Sequence, residues 1–279
     1  MPPHRSLQQT NDLLCAPGQL HELETRLIDG QLLRVYKNLW PSLRVFWLWA
    51  ANEHKDAPYA VFEGQCHTFS QIFSRSLKAA AMFHDVYGVR KGDRVAICAR
   101  NYPEYIVAFW ATHLLGAISA LPNAWSPLLT LQHCIVHTEA KLIIVDSARA
   151  DVLEPVAPTL LAEAGASAIL VIEPQEGKGV WQSMTSWGDA LAAYKGDPRS
   201  VLSRDPAIVA EDDATILFTS GTTGMPKGVL STQRQFLTNI LNVQGTYTQP
   251  STILVLEAEL ARLGTSKPKL MPFICLCTF

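Results

Sequence analysis

Residues 94–121 read RVAICARNYPEYIVAFWATHLLGAISAL, and this stretch decides the fold. It opens with a short, almost wholly apolar run at residues 94–99 and closes with another at residues 117–121. Between them, Asn101 and Pro103 give a helix-start signal, and Gly116 ends the apolar helical segment. Strands that are apolar on both faces are typical of a sheet covered on both sides by helices. The stretch therefore predicts a strand, a crossover helix and a second, parallel strand.

The same alternation of strands and helices continues along the chain. Further strands are predicted at residues 141–145, 168–172 and 214–219. Helices are predicted at residues 42–51, 70–87, 126–137, 148–164 and 185–194. Near the N-terminus, Asp29-Gly30 and Gly64 are each flanked by strand-like segments, which predicts two hairpins. We expect an α/β fold with a doubly wound, mostly parallel sheet and flanking helices, preceded by short β-hairpins.

The composition limits the classes of protein to consider. Hydrophobic residues are 48% and charged residues 17% of the 279 residues, which excludes a wholly disordered chain. The formal net charge is -2 and there is no block of Lys and Arg, so nucleic acid is not expected as a partner. No apolar run reaches the roughly 20 residues of a transmembrane helix. The sequence does not indicate an oligomeric state.

The two ends of the sequence and its cysteines favour a cytoplasmic location. Residues 1–12 contain no apolar signal-peptide segment, and the final Cys-Thr-Phe is not the peroxisomal Ser-Lys-Leu address. The six cysteines are scattered in a chain too large to need disulfides for its stability. We interpret them as reduced thiols.

A glycine-rich segment follows the predicted strand at residues 214–219. Residues 219–228 read TSGTTGMPKG. Glycines let backbone N–H groups turn toward an anion, hydroxyls donate further hydrogen bonds, and a lysine supplies positive charge. The segment is not a Walker A loop, which has Gly before its Lys and Ser or Thr after it. A phosphate-binding loop is favoured over an ordinary glycine-rich turn.

Residues 218–229, FTSGTTGMPKGV, resemble the signature of the adenylate-forming enzymes, which include acyl-CoA synthetases, peptide-synthetase adenylation domains and firefly luciferases. Residues 87–107 and 140–146 are similar to the N-terminal region of the same family. Residues 28–43 are most similar to fatty-acyl-CoA ligases. One departure is Gln233, because many members have His at this position after the threonine.

The resemblance implies a reaction and its ligands. Family enzymes join a carboxylate to ATP, which Mg²⁺ accompanies, and release pyrophosphate as the acyl-adenylate forms. A thiol, usually that of coenzyme A, then takes the acyl group. The resemblance implies that Lys227 is catalytic because it pairs with the departing pyrophosphate, whose charge it would stabilise. The resemblance also implies that the β- and γ-phosphates of ATP are bound by Thr219, Ser220, Gly221, Thr222, Thr223 and Gly224.

We therefore expect ATP, Mg²⁺, coenzyme A and a medium- or long-chain fatty acid as ligands. The predicted parts of the chain are a loose arm at residues 1–19, part of an AMP-binding domain at residues 20–243, and a divergent tail at residues 244–279. The family's later motifs, for adenine, ribose and a second catalytic lysine, are not found in that tail. We expect a truncated form in which the reaction is incomplete. Two alternatives stay open: a peptide-synthetase-type adenylation domain, and a non-catalytic nucleotide-binding or interaction fragment.

Two smaller patterns have structural interpretations. Arg100 and Glu104 flank a predicted helix start and are expected to form an ion pair there. His133 and His137 lie four residues apart on one predicted helix face, with Cys134 where a metalloprotease helix has Glu. A surface or core-edge helix is the favoured interpretation, and no metal site is predicted.

Overall fold

The computed structural model describes residues 6–172, 179–219 and 224–247 of the chain. Residues 42–233 form one compact unit, and the described parts of residues 1–41 and 234–276 form a second. The predicted tail beyond residue 247 lies outside the described residues. The domain boundaries expected from the sequence stay predictions.

Strands and helices alternate along most of the chain. The helices are α1 Leu7–Leu14, α2 Leu43–His54, α3 Phe69–Asp85, α4 Pro103–Leu114, α5 Leu128–His137, α6 Ser147–Leu153, α7 Ala157–Ala164, α8 Trp187–Ala193, α9 Ser200–Ser203 and α10 Gln233–Tyr247. The strands are β1 Leu23–Ile28, β2 Gln31–Tyr36, β3 Pro58–Phe62, β4 Gln65–Thr68, β5 Arg94–Cys98, β6 Ile118–Leu121, β7 Ala140–Asp146, β8 Ile169–Ile172, β9 Thr185–Ser186, β10 Asp213–Thr219 and β11 Lys227–Thr232.

The larger unit is built on a seven-stranded sheet with the order β11-β10-β6-β5-β7-β8-β9. All neighbouring pairs are parallel except β10 and β11, which are antiparallel. From β5 the chain moves to β6 on one side, and then to β7 on the other side. This reversal of direction makes the sheet doubly wound and confirms the predicted fold class.

Helices cover both faces of this sheet. On one face, Leu131 and Ile135 of α5 and Leu160 of α7 pack into a core with buried strand residues. Among the other helices, Trp47 of α2 and Trp110 of α4 stack with ring centroids 4.4 Å apart and 5° between their planes. Both rings are fully buried, which explains why the tryptophan-rich segment at residues 42–51 is a core helix.

Both predicted hairpins are confirmed. β1 pairs with β2 across Asp29 and Gly30, and β3 pairs with β4 across Glu63 and Gly64. The φ angles of these turn residues are 48°, 76°, 48° and 78° respectively. Two successive residues with positive φ are the requirement of the tight turn that suits a twisted hairpin, and Gly meets it at low cost.

Three segments differ from the sequence prediction. The helix expected at residues 148–164 is divided into α6, a 3₁₀ turn at Glu154–Val156, and α7. Pro155 and Pro158 lie at this division, and proline cannot donate the backbone hydrogen bond that a continuous helix needs. The first two residues of the helix expected at 185–194 instead form β9, which pairs with β8.

The third difference is within the predicted loose arm at residues 1–19, where Leu7–Leu14 form α1. The Ser6 hydroxyl accepts a hydrogen bond from the Gln9 backbone N–H, and the Gln9 side chain accepts one from the Ser6 backbone N–H. This reciprocal arrangement is a capping box.

Among the described residues, no helix is both long enough and apolar enough to cross a membrane.

A line of polar side chains lies buried between α4 and the sheet. His113 is 1% exposed, and its Nε2 lies 3.2 Å from the Ser119 hydroxyl of β6. Thr215 of β10 pairs with Ser119 in the parallel ladder and is also fully buried. Burial lowers the pKa of His113 to about 3, because the charged imidazolium is poorly solvated there. The histidine is therefore neutral in the folded protein at pH 7.

We expect His113 to make the protein less stable as the pH falls. The pKa of this group is about 3 when folded and 6.5 for an exposed histidine, so unfolding takes up a proton between these values. The free energy of unfolding should fall below pH 6.5 with a slope approaching about 1.4 kcal/mol per pH unit. Urea unfolding at about pH 7.5, 6.5, 5.5 and 4.5 measures this slope.

In His113→Gln the slope over this pH range should nearly vanish, whatever the starting stability of the variant. His67→Gln, in the β3–β4 hairpin, is the matched control and should keep the slope. As the pH falls, the protein also loses the stabilisation from carboxylates with a lowered pKa, such as Glu22 and Asp85, but mainly below about pH 5, so the slopes of the variants are compared between about pH 6.5 and 5.5. An unchanged slope in His113→Gln would contradict the assignment.

Candidate functional site

The glycine-rich segment connects two strands at one end of the sheet. β10 runs parallel to β6 and antiparallel to β11, and Thr219, the last residue of β10, pairs with Lys227, the first residue of β11. The Thr219 hydroxyl donates a hydrogen bond of 3.4 Å to the Lys227 carbonyl. The structure therefore brings these two predicted site residues together where the segment leaves the sheet.

A strand lies between the glycine-rich segment and the helix that follows it. Ser231 and Thr232 end β11, and α10 begins at the next residue, Gln233. A search for apolar runs misses β11 because this strand is partly exposed and contains a glycine. A Cβ atom on Gly228 would lie 2.8 Å from Cγ2 of Ile216, so this position in the hairpin requires glycine.

The remaining predicted phosphate ligands divide into two groups. Ser220, Gly221, Thr222 and Thr223 lie outside the described residues. Gly224 is described and exposed, and none of the described residues outside its own chain neighbours has an atom within 4 Å of the place where its Cβ would stand. Lys227 is also exposed. The roles of all seven residues stay predictions.

Gln233, which departs from the family pattern, has a structural role. It is 1% exposed, its side-chain oxygen accepts a 2.8 Å hydrogen bond from the Leu43 backbone N–H, and its side-chain nitrogen donates to the Asp213 carbonyl at 3.4 Å. Gln233 therefore joins the first turn of α2 to the start of β10. The sequence does not reveal this role, because Leu43 is 190 residues away.

A second group of polar residues lies at the same edge of the sheet. Asp146 ends β7 and is fully buried. Its carboxylate accepts hydrogen bonds of 2.9 Å from the backbone N–H groups of Arg100 and Arg149, and one of 3.2 Å from Nε of Arg100. Arg100 follows β5, and Arg149 lies in the first turn of α6. One carboxylate thus fixes two arginines beside neighbouring strands.

Two aromatic side chains complete this group, which we call the arginine cluster: Arg100, Tyr102, Trp125, Asp146 and Arg149. The Tyr102 hydroxyl accepts a 2.8 Å hydrogen bond from Arg100. The Trp125 ring is 74% exposed, and the guanidinium carbons of Arg100 and Arg149 lie 6.0 and 5.4 Å from its centroid. An exposed indole can stack on a planar group of a ligand, and the two guanidinium groups beside it can bind negative charge on the same ligand.

The sequence does not predict the arginine cluster. It suggests that Arg100 pairs with Glu104, but Glu104 pairs with Arg75 instead, and Arg100 pairs with Asp146. The reason is that residue 100 lies at the end of β5, directly beside the end of β7. The sequence does contain a usable signal. Arg100 and Asp146 each come just after a predicted strand, and the carboxyl ends of neighbouring parallel strands lie at the same edge of a sheet.

The topology gives this edge a functional meaning. In doubly wound sheets, ligands bind outside the carboxyl ends of the strands, where the chain changes direction. Here that point lies between β5 and β7, and the arginine cluster surrounds it. In the described part of the chain, no three His, Cys, Asp or Glu side chains are grouped to hold a metal ion, and Mg²⁺ stays a prediction.

The fold defines the class of protein: a doubly wound α/β domain, with a candidate ligand site at the carboxyl ends of its strands. The family described as "AMP-binding enzyme" matches residues 47–260. The chain belongs to this family. The resemblance found in the glycine-rich segment is thereby confirmed at the level of the family.

The chain is also similar to curated CoA ligases. A long-chain-fatty-acid–CoA ligase of Salmonella typhimurium is 29% identical over 228 residues, which cover 71% of this chain and 38% of that protein. 4-Coumarate–CoA ligase 2 of Oryza sativa is 31% identical over 195 residues, which cover 68% of this chain and 33% of that protein. The chain therefore spans less than half the length of these curated relatives.

A solved structure supports the fold. The luciferase-like enzyme from the nonluminescent mealworm Zophobas morio superimposes with a TM-score of 0.61 at 21% sequence identity. The match covers 73% of this chain and 45% of that protein. The described residues thus share the fold of the corresponding part of that enzyme.

We expect the Asp146 carboxylate to hold the arginine cluster together. Asp146→Asn replaces one acceptor oxygen by a donor that faces two arginines, and breaking a buried ion pair costs about 3 kcal/mol or more. Urea unfolding followed by far-UV circular dichroism measures this loss. Asp56→Asn, at an exposed carboxylate, is the control and should change the free energy of unfolding by less than about 0.5 kcal/mol. Equal stability of the two variants would refute the prediction.

Proposed function

We propose that this chain binds ATP and contributes to the activation of a carboxylic acid, first to an acyl-adenylate and then to acyl-CoA. The observation that carries the proposal is the glycine- and hydroxyl-rich segment with Lys227, which follows the carboxyl end of β10 in a chain of the AMP-binding family. Since the chain spans less than half of its relatives, the complete reaction is a proposal for the whole protein.

In the proposed reaction, the glycine-rich segment stabilises the negative charge that develops on pyrophosphate. A carboxylate oxygen attacks the α-phosphorus of ATP, the bond from that phosphorus to the bridging oxygen breaks, and pyrophosphate leaves with the bond's electron pair. Negative charge grows on the leaving group, and N–H groups, hydroxyls and the Lys227 ammonium would stabilise it. In the second step the thiol sulfur of coenzyme A attacks the acyl carbonyl carbon, the thiol loses its proton, and AMP leaves.

We further propose that the arginine cluster receives phosphate groups and the adenine of coenzyme A. β10, β6, β5 and β7 are successive neighbours at about 4.8 Å spacing, which puts the ends of β5 and β7 about 10 and 14 Å from the end of β10. A second nucleotide therefore has room beside the one at the glycine-rich segment. Guanidinium groups suit phosphate, and the exposed Trp125 ring suits a stacked base.

For the acid, we propose a medium- or long-chain fatty acid. The similarity to a relative named long-chain-fatty-acid–CoA ligase supports this class, as does the sequence at residues 28–43. The similarity to a 4-coumarate–CoA ligase makes an aromatic acid the competitor. A panel of octanoate, palmitate and 4-coumarate distinguishes the two classes. The peptide-synthetase alternative would be favoured by an amino acid substrate and by a lack of coenzyme A binding.

We expect Lys227→Ala to weaken ATP binding by about 10- to 100-fold, because a hydrogen bond to a charged group contributes roughly 1.5–3 kcal/mol. Isothermal titration of the purified chain with ATP and MgCl₂ measures the dissociation constant. Lys195→Ala removes an exposed lysine just beyond the C-terminal end of α8, and this variant should bind ATP as the parent does. Equal affinity in the two variants would contradict the phosphate-binding role of Lys227.

Pyrophosphate exchange separates binding from catalysis. Acid-dependent exchange of labelled pyrophosphate into ATP, weakened in Lys227→Ala, would mean that these 279 residues carry out adenylation. ATP binding without exchange would favour the alternative of a nucleotide-binding fragment. Absence of both would refute the proposed function for this chain.

For coenzyme A, Trp125→Ala should weaken binding by about tenfold, because stacking of a base on an aromatic ring contributes roughly 1–3 kcal/mol. The indole is exposed, so the variant should keep its fold. Trp49→Ala, at a partly exposed tryptophan of α2, is the matched control. The proposal predicts that Trp125→Ala leaves ATP affinity unchanged, and an equal loss for both nucleotides would contradict separate sites.

A further inference from the structure

Helix α5 carries two histidines on one exposed flank. His133 and His137 are four residues apart, about one turn of helix, and their ring centroids are 5.3 Å apart with 11° between the ring planes. His133 is half-buried and His137 is exposed. Both imidazoles are therefore reachable from solvent and close to each other.

The rest of α5 shows that this pair is separate from the core. Leu131, Cys134 and Ile135 are the buried residues of the helix, and the two apolar ones pack against the sheet. Within the described part of the chain, neither imidazole has a hydrogen-bond or ion-pair partner, and their ring nitrogens are available.

The spacing of the rings matches a known chelate geometry. Zinc–nitrogen bonds are about 2.0–2.1 Å long, and the ring centre lies about 1 Å behind the nitrogen, so two imidazoles at a tetrahedral angle have centroids about 5 Å apart. The observed 5.3 Å agrees with this value. Rotation of the two side chains about their ring-bearing bonds would direct one nitrogen of each toward a shared ion without moving the helix.

We propose that His133 and His137 together chelate a divalent transition-metal ion such as Zn²⁺, Ni²⁺ or Cu²⁺. Neutral imidazole is a preferred ligand of these ions, whereas Mg²⁺ and Ca²⁺ prefer oxygen. Because the described residues provide no third protein ligand, water completes the coordination and the ion exchanges with solvent. The ion joins two successive turns of α5 and stabilises the helix. This site is independent of the proposed nucleotide chemistry.

The test is isothermal titration of the full chain, without a histidine tag, with NiCl₂ and separately with ZnCl₂ at about pH 7.5. We expect one ion bound per chain, a raised melting temperature with either ion, and no effect of MgCl₂. His133→Gln and His137→Gln should each weaken binding by at least about tenfold, because each removes one arm of a chelate.

Three controls decide between this site and others. His67→Gln should bind as the parent does. Gln132→His combined with His133→Gln keeps two histidines on α5 but places them five residues apart, and it should not restore binding. Cys275→Ser with Cys277→Ser tests the C-x-C pair as a competing ligand. Loss of binding in that double variant, retention in His137→Gln, or no binding in the parent would each overturn the proposal.

Discussion

The interaction on which the arginine cluster depends is the burial of one carboxylate, that of Asp146. With no exposed surface of its own, this group is stable as an anion only if donors surround it. Two backbone N–H groups and two guanidinium groups do so. The same contacts cap the N-terminus of α6, fix the backbone just after β5 and hold both arginine side chains in place. The need to surround one buried charge with hydrogen-bond donors therefore fixes the positions of three chain segments. These segments lie where the chain reverses its direction through the sheet.

The glycine-rich segment is held in a different way from the phosphate loops that join a strand to a helix. Here both ends of the segment belong to one antiparallel ladder, in which Thr219 pairs with Lys227. The two ends therefore occupy adjacent positions of the sheet. The lysine, as a strand residue, has a backbone position set by the sheet rather than by a helix terminus.

Sequence patterns predict the fold well where the signal is local. Asp29-Gly30 and Glu63-Gly64 specify their turns within two residues, and the apolar runs of β5, β6, β7 and β8 mark buried parallel strands. The pattern misses β11 because an exposed edge strand has no continuous apolar run. It over-extends the helix at residues 148–164 because apolar spacing continues past two prolines that interrupt the backbone hydrogen bonds.

The parts of the site that the sequence does not predict depend on contacts between residues far apart along the chain. Arg100 and Asp146 are 46 residues apart, and Gln233 and Leu43 are 190 residues apart. No periodicity links such pairs, and only the strand order makes them neighbours. By contrast, the glycines, the hydroxyls and Lys227 of the glycine-rich segment are close together along the chain, so the candidate phosphate loop is recognisable from the residues themselves.

The exposure of Trp125 has an optical consequence. The chain has seven tryptophans, and the indoles of Trp47, Trp110, Trp181 and Trp187 are at most 5% exposed, whereas that of Trp125 is 74% exposed. Buried indoles emit at shorter wavelengths than those in contact with water, so Trp125 contributes strongly to the red side of the emission band. Iodide would quench this component first. A ligand that covers the ring would shift the band to the blue, which gives the protein an intrinsic fluorescent reporter at its arginine cluster.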